Sequence, residues 1–134
     1  MSNRLDIETH FYQSLAKLFY AVLLCDRNLS ETEIKKLSSE IHSNFIRANE
    51  KNYLSSLEGL NLIEKHFGEL VVKGSDPFIC LNDFKAFMKE HYSIFTTDIK
   101  AKLWDVINAL AVSTAGKNKS ELLILNEIGL LFKN

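Results

Sequence analysis

Apolar residues recur at steps of three and four along most of the chain, and this helical period constrains the fold more than any other feature of the sequence. The first such segment runs from about Ile7 to Leu24. Its apolar face consists of Phe11, Leu15, Leu18, Phe19, Val22 and Leu23. Additional positions that widen this face are Tyr12, Ala16, Tyr20 and Ala21. A helix that is apolar over so wide a face is predicted to lie at the centre of the fold.

Five more helices are predicted from the same spacing. They begin near Ser30, near Asn52, near Leu81, at Thr96 or Thr97, and near Asn118. Strand alternation is rare, and Pro77 is the one proline in the chain. A chain of 134 residues has the size of one domain. We therefore expect a single all-α domain over residues 1–134, folded as a compact bundle of about six helices.

Capping residues and breakers mark the ends of these predicted helices. Ser30 and Glu33 have the spacing of a capping box, in which each side chain accepts a hydrogen bond from the other residue's backbone N–H. The clearest break is Lys73–Pro77, where a glycine, a capping residue and a proline coincide. The helix predicted after this break runs from about Leu81 to Tyr92.

The first two and last two predicted helices align without a gap at an offset of 88 residues. The matched apolar pairs are Leu15 with Leu103, Leu18 with Val106, Phe19 with Ile107, Val22 with Leu110, and Leu37 with Leu125. The capping box recurs as Asn118 and Glu121. The sequence therefore predicts two pseudo-repeated helical hairpins, over 11–42 and 99–130, related by an approximate twofold axis and separated by a middle helical insert.

Composition and charge narrow the classes of function. The formal net charge is -1 and there is no long basic stripe, so nucleic-acid binding is not expected. The N-terminal residues lack an apolar signal core, and no apolar run has the length of a bilayer span. Cys25 and Cys80 do not make a disulfide framework. We expect a cytoplasmic protein without a transmembrane segment.

One short loop carries a resemblance to a known family. The segment from Asp26 to Glu33 resembles the Asp-Gly-x-Ile-Ser-x-x-Glu pattern of the TerB-like family, helical domains associated with tellurite resistance. Arg27 stands where that pattern has glycine, and Thr114 stands where the second copy would have its acid. The resemblance implies an all-α fold without catalysis, divalent-metal binding through the loop acids, and a setting in the stress response.

Asp26, with Asn28 and Glu33 as helpers, is the metal site that this resemblance implies. An alternative needs no metal: Glu33 completes the helix cap and Asp26 interacts with the positive end of the helix dipole. An EF-hand is excluded, because Glu31 occupies the loop position that needs glycine and Leu37 the position that needs glutamate. Both interpretations of the two acids stay open at the level of sequence.

No enzyme signature accompanies this loop. The four histidines fall on four different predicted helices, and the chain has neither an HExxH nor a CxxC motif. Trp104 aligns with the small Ala16 and is either a packed residue or a partner-binding residue on the rim. We expect a non-enzymatic TerB-like module with weak divalent-metal binding that works through other proteins. The alternative is a protein-interaction or dimerisation module that has lost metal binding.

Asp26→Asn is expected to abolish cation binding and leave the fold intact, because the neutral isostere can still hydrogen-bond within the loop. Calorimetric titration of the wild type with calcium, magnesium, manganese and zinc should give weak binding, with a Kd on the order of 10⁻⁴–10⁻³ M. The affinity is weak because Thr114 leaves the second loop without an acid. Tight binding that survives Asp26→Asn would contradict this assignment and point to the histidines.

Overall fold

The structure is a computed structural model and describes residues 3–24, 35, 37, 39, 57–113 and 119–133. The helices with described bounds are α1 (Asn3–Leu24), α2 (Leu57–Lys73), α3 (Pro77–Glu90), α4 (Thr97–Ser113) and α5 (Lys119–Lys133), with a 3₁₀ turn at Tyr92–Ile94 before α4. Lys35, Leu37 and Ser39 are also helical. These ranges contain no strand, which confirms the prediction of an all-α bundle.

Helix α1 is enclosed by the rest of the bundle. It contacts α2 and α3 most extensively and also contacts α4 and α5. Between Phe11 and Leu23 every side chain is buried except those of Gln13 and Lys17, which are partly exposed. A helix that is apolar on all sides is stable only when other elements cover every side. The prediction of a central first helix is confirmed.

An aromatic cluster joins α1 to α3 and to the segment that precedes α4. Phe95 is buried there, with its ring centroid 5.5 Å from that of Phe11 and 5.7 Å from that of Phe84. Both pairs meet edge to face, the arrangement that the charge distribution of aromatic rings favours. Phe87 completes the cluster at the partly buried edge, 6.1 Å from Phe95. These contacts fix the turn between α3 and α4 against the core.

The close approach of α1 and α2 depends on a glycine. A Cβ atom on Gly59 would lie 2.3 Å from Cζ of Tyr12, which is well inside van der Waals contact. The Tyr12 ring is itself buried, at 4% exposure, and so has little room to move away. Gly59 therefore sets the distance between these two helices.

Helix α2 ends in a Schellman motif. Gly74 adopts a left-handed conformation with a φ of 63°. Its N–H donates to the carbonyl of Val71, and the N–H of Ser75 donates to the carbonyl of Leu70. These are the two hydrogen bonds that define the motif, and glycine is favoured at the left-handed position because it has no Cβ.

Helix α3 begins at Pro77, earlier than the predicted start near Leu81. The Asp76 side chain caps it by accepting hydrogen bonds from the N–H groups of Phe78 and Ile79, at 2.8 and 3.3 Å. Proline is favoured at the first helical position, where a missing N–H has no consequence. The break at Lys73–Pro77 is thus confirmed, but its proline starts the next helix.

A side chain of α1 holds the α2–α3 turn in place. The Tyr20 hydroxyl donates a hydrogen bond of 2.6 Å to the carbonyl of Ser75, and its ring packs edge to face on Phe67 of α2. Burial raises the pKa of Tyr20 above its usual value, with smaller contributions from Cys80 and Asp76. The hydroxyl therefore remains a donor throughout the neutral range.

The predicted repeat is described only in part. The matched pairs Leu15 with Leu103, Leu18 with Val106, Phe19 with Ile107, Val22 with Leu110, and Leu37 with Leu125 are all buried. Thr96 caps α4 by accepting from the N–H of Ile99, as predicted. The capping boxes at Ser30 and Asn118 lie outside the described residues. The twofold superposition of the two hairpins therefore stays a prediction.

Gly59→Ala is expected to destabilise the domain, and Gly68→Ala is its matched control. Both glycines are helical, but a Cβ on Gly68 would have nothing within 4 Å. Overpacking against Tyr12 should lower the free energy of unfolding by about 1–2 kcal/mol. Gly68→Ala should raise it by about 0.5–1 kcal/mol, through helix propensity alone. Urea unfolding of the two variants measures this, and equal effects would show that the Gly59 contact is unimportant.

Tyr20→Phe is expected to cost about 1 kcal/mol at neutral pH, because the Ser75 carbonyl loses its donor. The folded-state pKa of Tyr20 is raised, so the unfolded chain releases this proton first and stability falls as pH increases. The contribution of the hydroxyl should be fully present below about pH 10 and lost as the pH rises towards the folded-state pKa. The stability difference between wild type and variant should therefore shrink in alkali, and a constant difference would refute this account.

Candidate functional site: an aromatic groove between α4 and α5

An open groove of about 570 Å³ lies beside the first turns of α4 and the last turn of α5. Its lining consists of Tyr92, Thr97, Lys100, Ala101, Trp104, Gly129, Phe132 and Lys133. Three of these residues are aromatic and two carry a positive charge. The volume falls within the range of protein sites that bind small ligands.

One face of α4 forms the first wall. Thr97, Ala101 and Trp104 follow one another at steps of four and three, so they lie on the same side of the helix. The opposite side carries Leu103 and Val106, which are fully buried. Helix α4 therefore has a core face and a separate groove face, and Trp104 is the large residue on the latter.

The second wall, on α5, is open because residue 129 has no side chain. A Cβ on Gly129 would lie 3.4 Å from Cη2 of Trp104, in contact with the edge of the indole. Phe132 packs edge to face on Trp104, with ring centroids 6.3 Å apart, and also contacts Phe84 of α3 at 6.4 Å. The floor of the groove is thus held by the core, and position 129 places no side chain at the edge of the indole.

Positive charge lines the two sides of this floor. The Lys100 ammonium lies 5.0 Å from the centroid of the Tyr92 ring and 3.4 Å from its hydroxyl oxygen. Lys133, at the end of α5, is exposed. Asp98, one turn from Lys102 on α4, pairs with that lysine at 3.0 Å and does not line the groove. The groove therefore combines an apolar floor with two cations.

The residues predicted to bind metal, Asp26, Asn28 and Glu33, lie outside the described part of the chain. Within the ranges that are described, no group of three or more His, Cys, Asp or Glu side chains is placed to hold a metal ion. The histidines of α1 and α2, His10 and His66, have different surroundings: His10 is exposed and His66 hydrogen-bonds to Glu69. The metal site proposed at these three residues therefore stays a prediction from the sequence.

His91 and Cys80 both pack against apolar residues of the bundle. The His91 ring is half-buried and stacks on Phe87 at 4.6 Å, so it packs at the edge of the core instead of inside it. Cys80 is buried, and burial raises the pKa of its thiol despite the opposing effect of Lys17. A protonated, buried thiol is a poor nucleophile. Cys80 is therefore a core residue.

Sequence reasoning singled out Trp104 but missed Tyr92, Lys100 and Phe132. These residues come from three separate elements and meet only through the packing of the bundle. The sequence signal available for this groove is an exchange of residue size in the predicted repeat alignment. Trp104 aligns with a small residue, Ala16, whereas Gly129 aligns with a large one, Ile41.

Comparison with family models, with curated proteins and with solved structures gave no match to this chain. The TerB-like resemblance therefore remains a prediction that rests on the loop from Asp26 to Glu33. None of the described helices is long and apolar enough to cross a membrane. The groove itself is the strongest guide to function.

Proposed function

We propose that this chain is a non-enzymatic protein-interaction module and that the α4–α5 groove is its binding surface. The observation that carries the proposal is the half-buried Trp104, whose ring is left open by Gly129. Tryptophan and tyrosine in concave, partly desolvated positions supply much of the binding energy at protein interfaces. A solvent-facing apolar floor also favours binding, because covering it removes apolar surface from water.

The chemistry of the lining supports binding over catalysis. Thr97 and the two lysines are its polar side chains, and the described lining includes no histidine, cysteine or carboxylate. General acid–base or nucleophilic catalysis generally needs an activated group with a partner in hydrogen-bond reach. Aromatic rings and ammonium groups instead suit the recognition of another molecule.

The preformed geometry of the groove adds to this argument. Phe132 is held between Phe84 and Trp104, so the floor does not have to be assembled when a partner arrives. Binding to a preorganised surface avoids part of the entropy loss that ordering side chains would otherwise cost. Metal binding through Asp26 is a separate proposal, tested by cation titration.

Gly129→Gln is expected to abolish partner binding without destabilising the fold. The new side chain fills the space above Trp104, while glutamine is a better helix former than glycine. Short peptides that bind the full chain would first be selected from a random display library. Each selected peptide would then be titrated against the wild type and against the variant. Trp104 is the single tryptophan, so its emission reports directly on the groove. Affinity should fall by about thirty-fold or more, the effect of losing a hot spot.

Gly68→Gln is the matched control, because Gly68 is helical, exposed and far from any side chain. It introduces the same residue and the same gain in helix propensity, and it should leave peptide affinity unchanged. If no peptide is selected, or if selected peptides bind both variants equally well, the groove is not the binding surface.

A further inference from the structure

We infer that the partner segment is a short acidic peptide with one apolar anchor residue. The anchor would lie on Trp104 beside Gly129, and its flanking carboxylates would meet Lys100 and Lys133. This inference rests on the proposed function, and it adds the chemistry of the partner. It is carried by the charge and the shape of the groove together.

Charge complementarity predicts that the partner segment is negatively charged. Both charged residues that line the groove are lysines, in a chain whose formal net charge is -1. The described lining of the groove therefore carries two positive formal charges and no negative one, although the chain as a whole is nearly neutral. A local patch of one sign steers and orients a partner of the opposite sign. Lys100 and Lys133 come from different helices, so an acidic group on each side of the anchor can be satisfied.

The shape of the groove gives the size of the anchor. From Thr97 to Trp104 the α4 wall rises by roughly 10 Å, at about 1.5 Å per residue. An extended peptide of about three residues spans that length. An apolar side chain of such a peptide can then lie against the indole beside Gly129, where position 129 adds no side chain, while the open side of the groove leaves room for the peptide backbone.

A peptide fits these observations better than a nucleic acid or a membrane does. Nucleic-acid binding needs clustered cations along a backbone, whereas two lysines line this groove. Trp104 and Phe132 meet at an interplanar angle of 76°, so their faces are not parallel platforms for successive stacked bases. A single concave groove with an aromatic floor is also unlike the broad basic face that binds anionic lipid.

The test uses a synthetic peptide with a central leucine flanked by glutamates, and a second peptide in which glutamine replaces each glutamate. Both are titrated against the full chain by following the emission of Trp104. The acidic peptide should bind more tightly, and the difference should shrink as salt is raised, because exposed ion pairs are screened.

Lys100→Gln and Lys133→Gln should each weaken binding of the acidic peptide by about two- to five-fold, the effect of one exposed ion pair. Neither substitution should weaken binding of the glutamine peptide to the same degree. Lys65→Gln is the matched control, because Lys65 is an exposed lysine on α2 that does not line the groove. Its affinity for both peptides should equal that of the wild type.

The outcomes of these titrations distinguish a failure of the acidic-partner inference from a failure of the proposed function on which it rests. If the glutamine peptide binds as tightly as the acidic one and Gly129→Gln abolishes both, the groove binds peptides but the acidic partner is wrong. If neither these peptides nor library-selected peptides bind at the groove, the proposed function fails as well. Tighter groove binding of poly(U) RNA or of phosphatidylserine vesicles than of the acidic peptide would also overturn the inference.

Discussion

The burial of α1 between Phe11 and Leu23 is the constraint on which the rest of the structure depends. Its segment from Phe11 to Leu23 has apolar residues on every side, so no arrangement with an exposed α1 could be stable. Each of the other four helices therefore turns one face to α1 or to its aromatic neighbours. Gly59 brings α2 into direct contact with Tyr12, and the Tyr20 hydroxyl fixes the turn from which α3 departs. The direction of α3 then follows from α1.

A continuous chain of ring contacts connects this core to the groove. It runs from Phe11 through Phe95, Phe84 and Phe132 to Trp104, with successive centroids between 5.5 and 6.4 Å apart. Closely packed interiors resist local change, so rings linked in this way hold one another in place. The position of the indole at the surface is thus set by packing that begins at the central helix. A binding floor held in this manner requires little reorganisation when it is covered.

The sequence predicts best those features that depend on local spacing. The central α1 and the Thr96 cap of α4 follow from residues that are neighbours in the chain, and both are confirmed. Helix α3 begins earlier than the apolar spacing predicts, because the Asp76 side chain caps it and Pro77, at the predicted break, is its first helical residue. The groove could not be predicted in the same way. Tyr92 lies in the 3₁₀ turn before α4 and contacts Lys100 across a change of element, which no helical periodicity encodes.

Gly129 leaves the edge of the Trp104 ring uncovered at a small cost in helix stability. A glycine inside a helix lowers stability by about 0.5–1 kcal/mol relative to alanine. Its backbone conformation does not require glycine, since Gly74 is the described glycine with a positive φ. Packing does not require it either, because a Cβ would meet the Trp104 ring at 3.4 Å, an ordinary contact, unlike the clash at Gly59. Gly68 is a second helical glycine that neither backbone nor packing requires, so the proposed binding surface rests on Gly129 only together with the half-buried ring of Trp104 beside it.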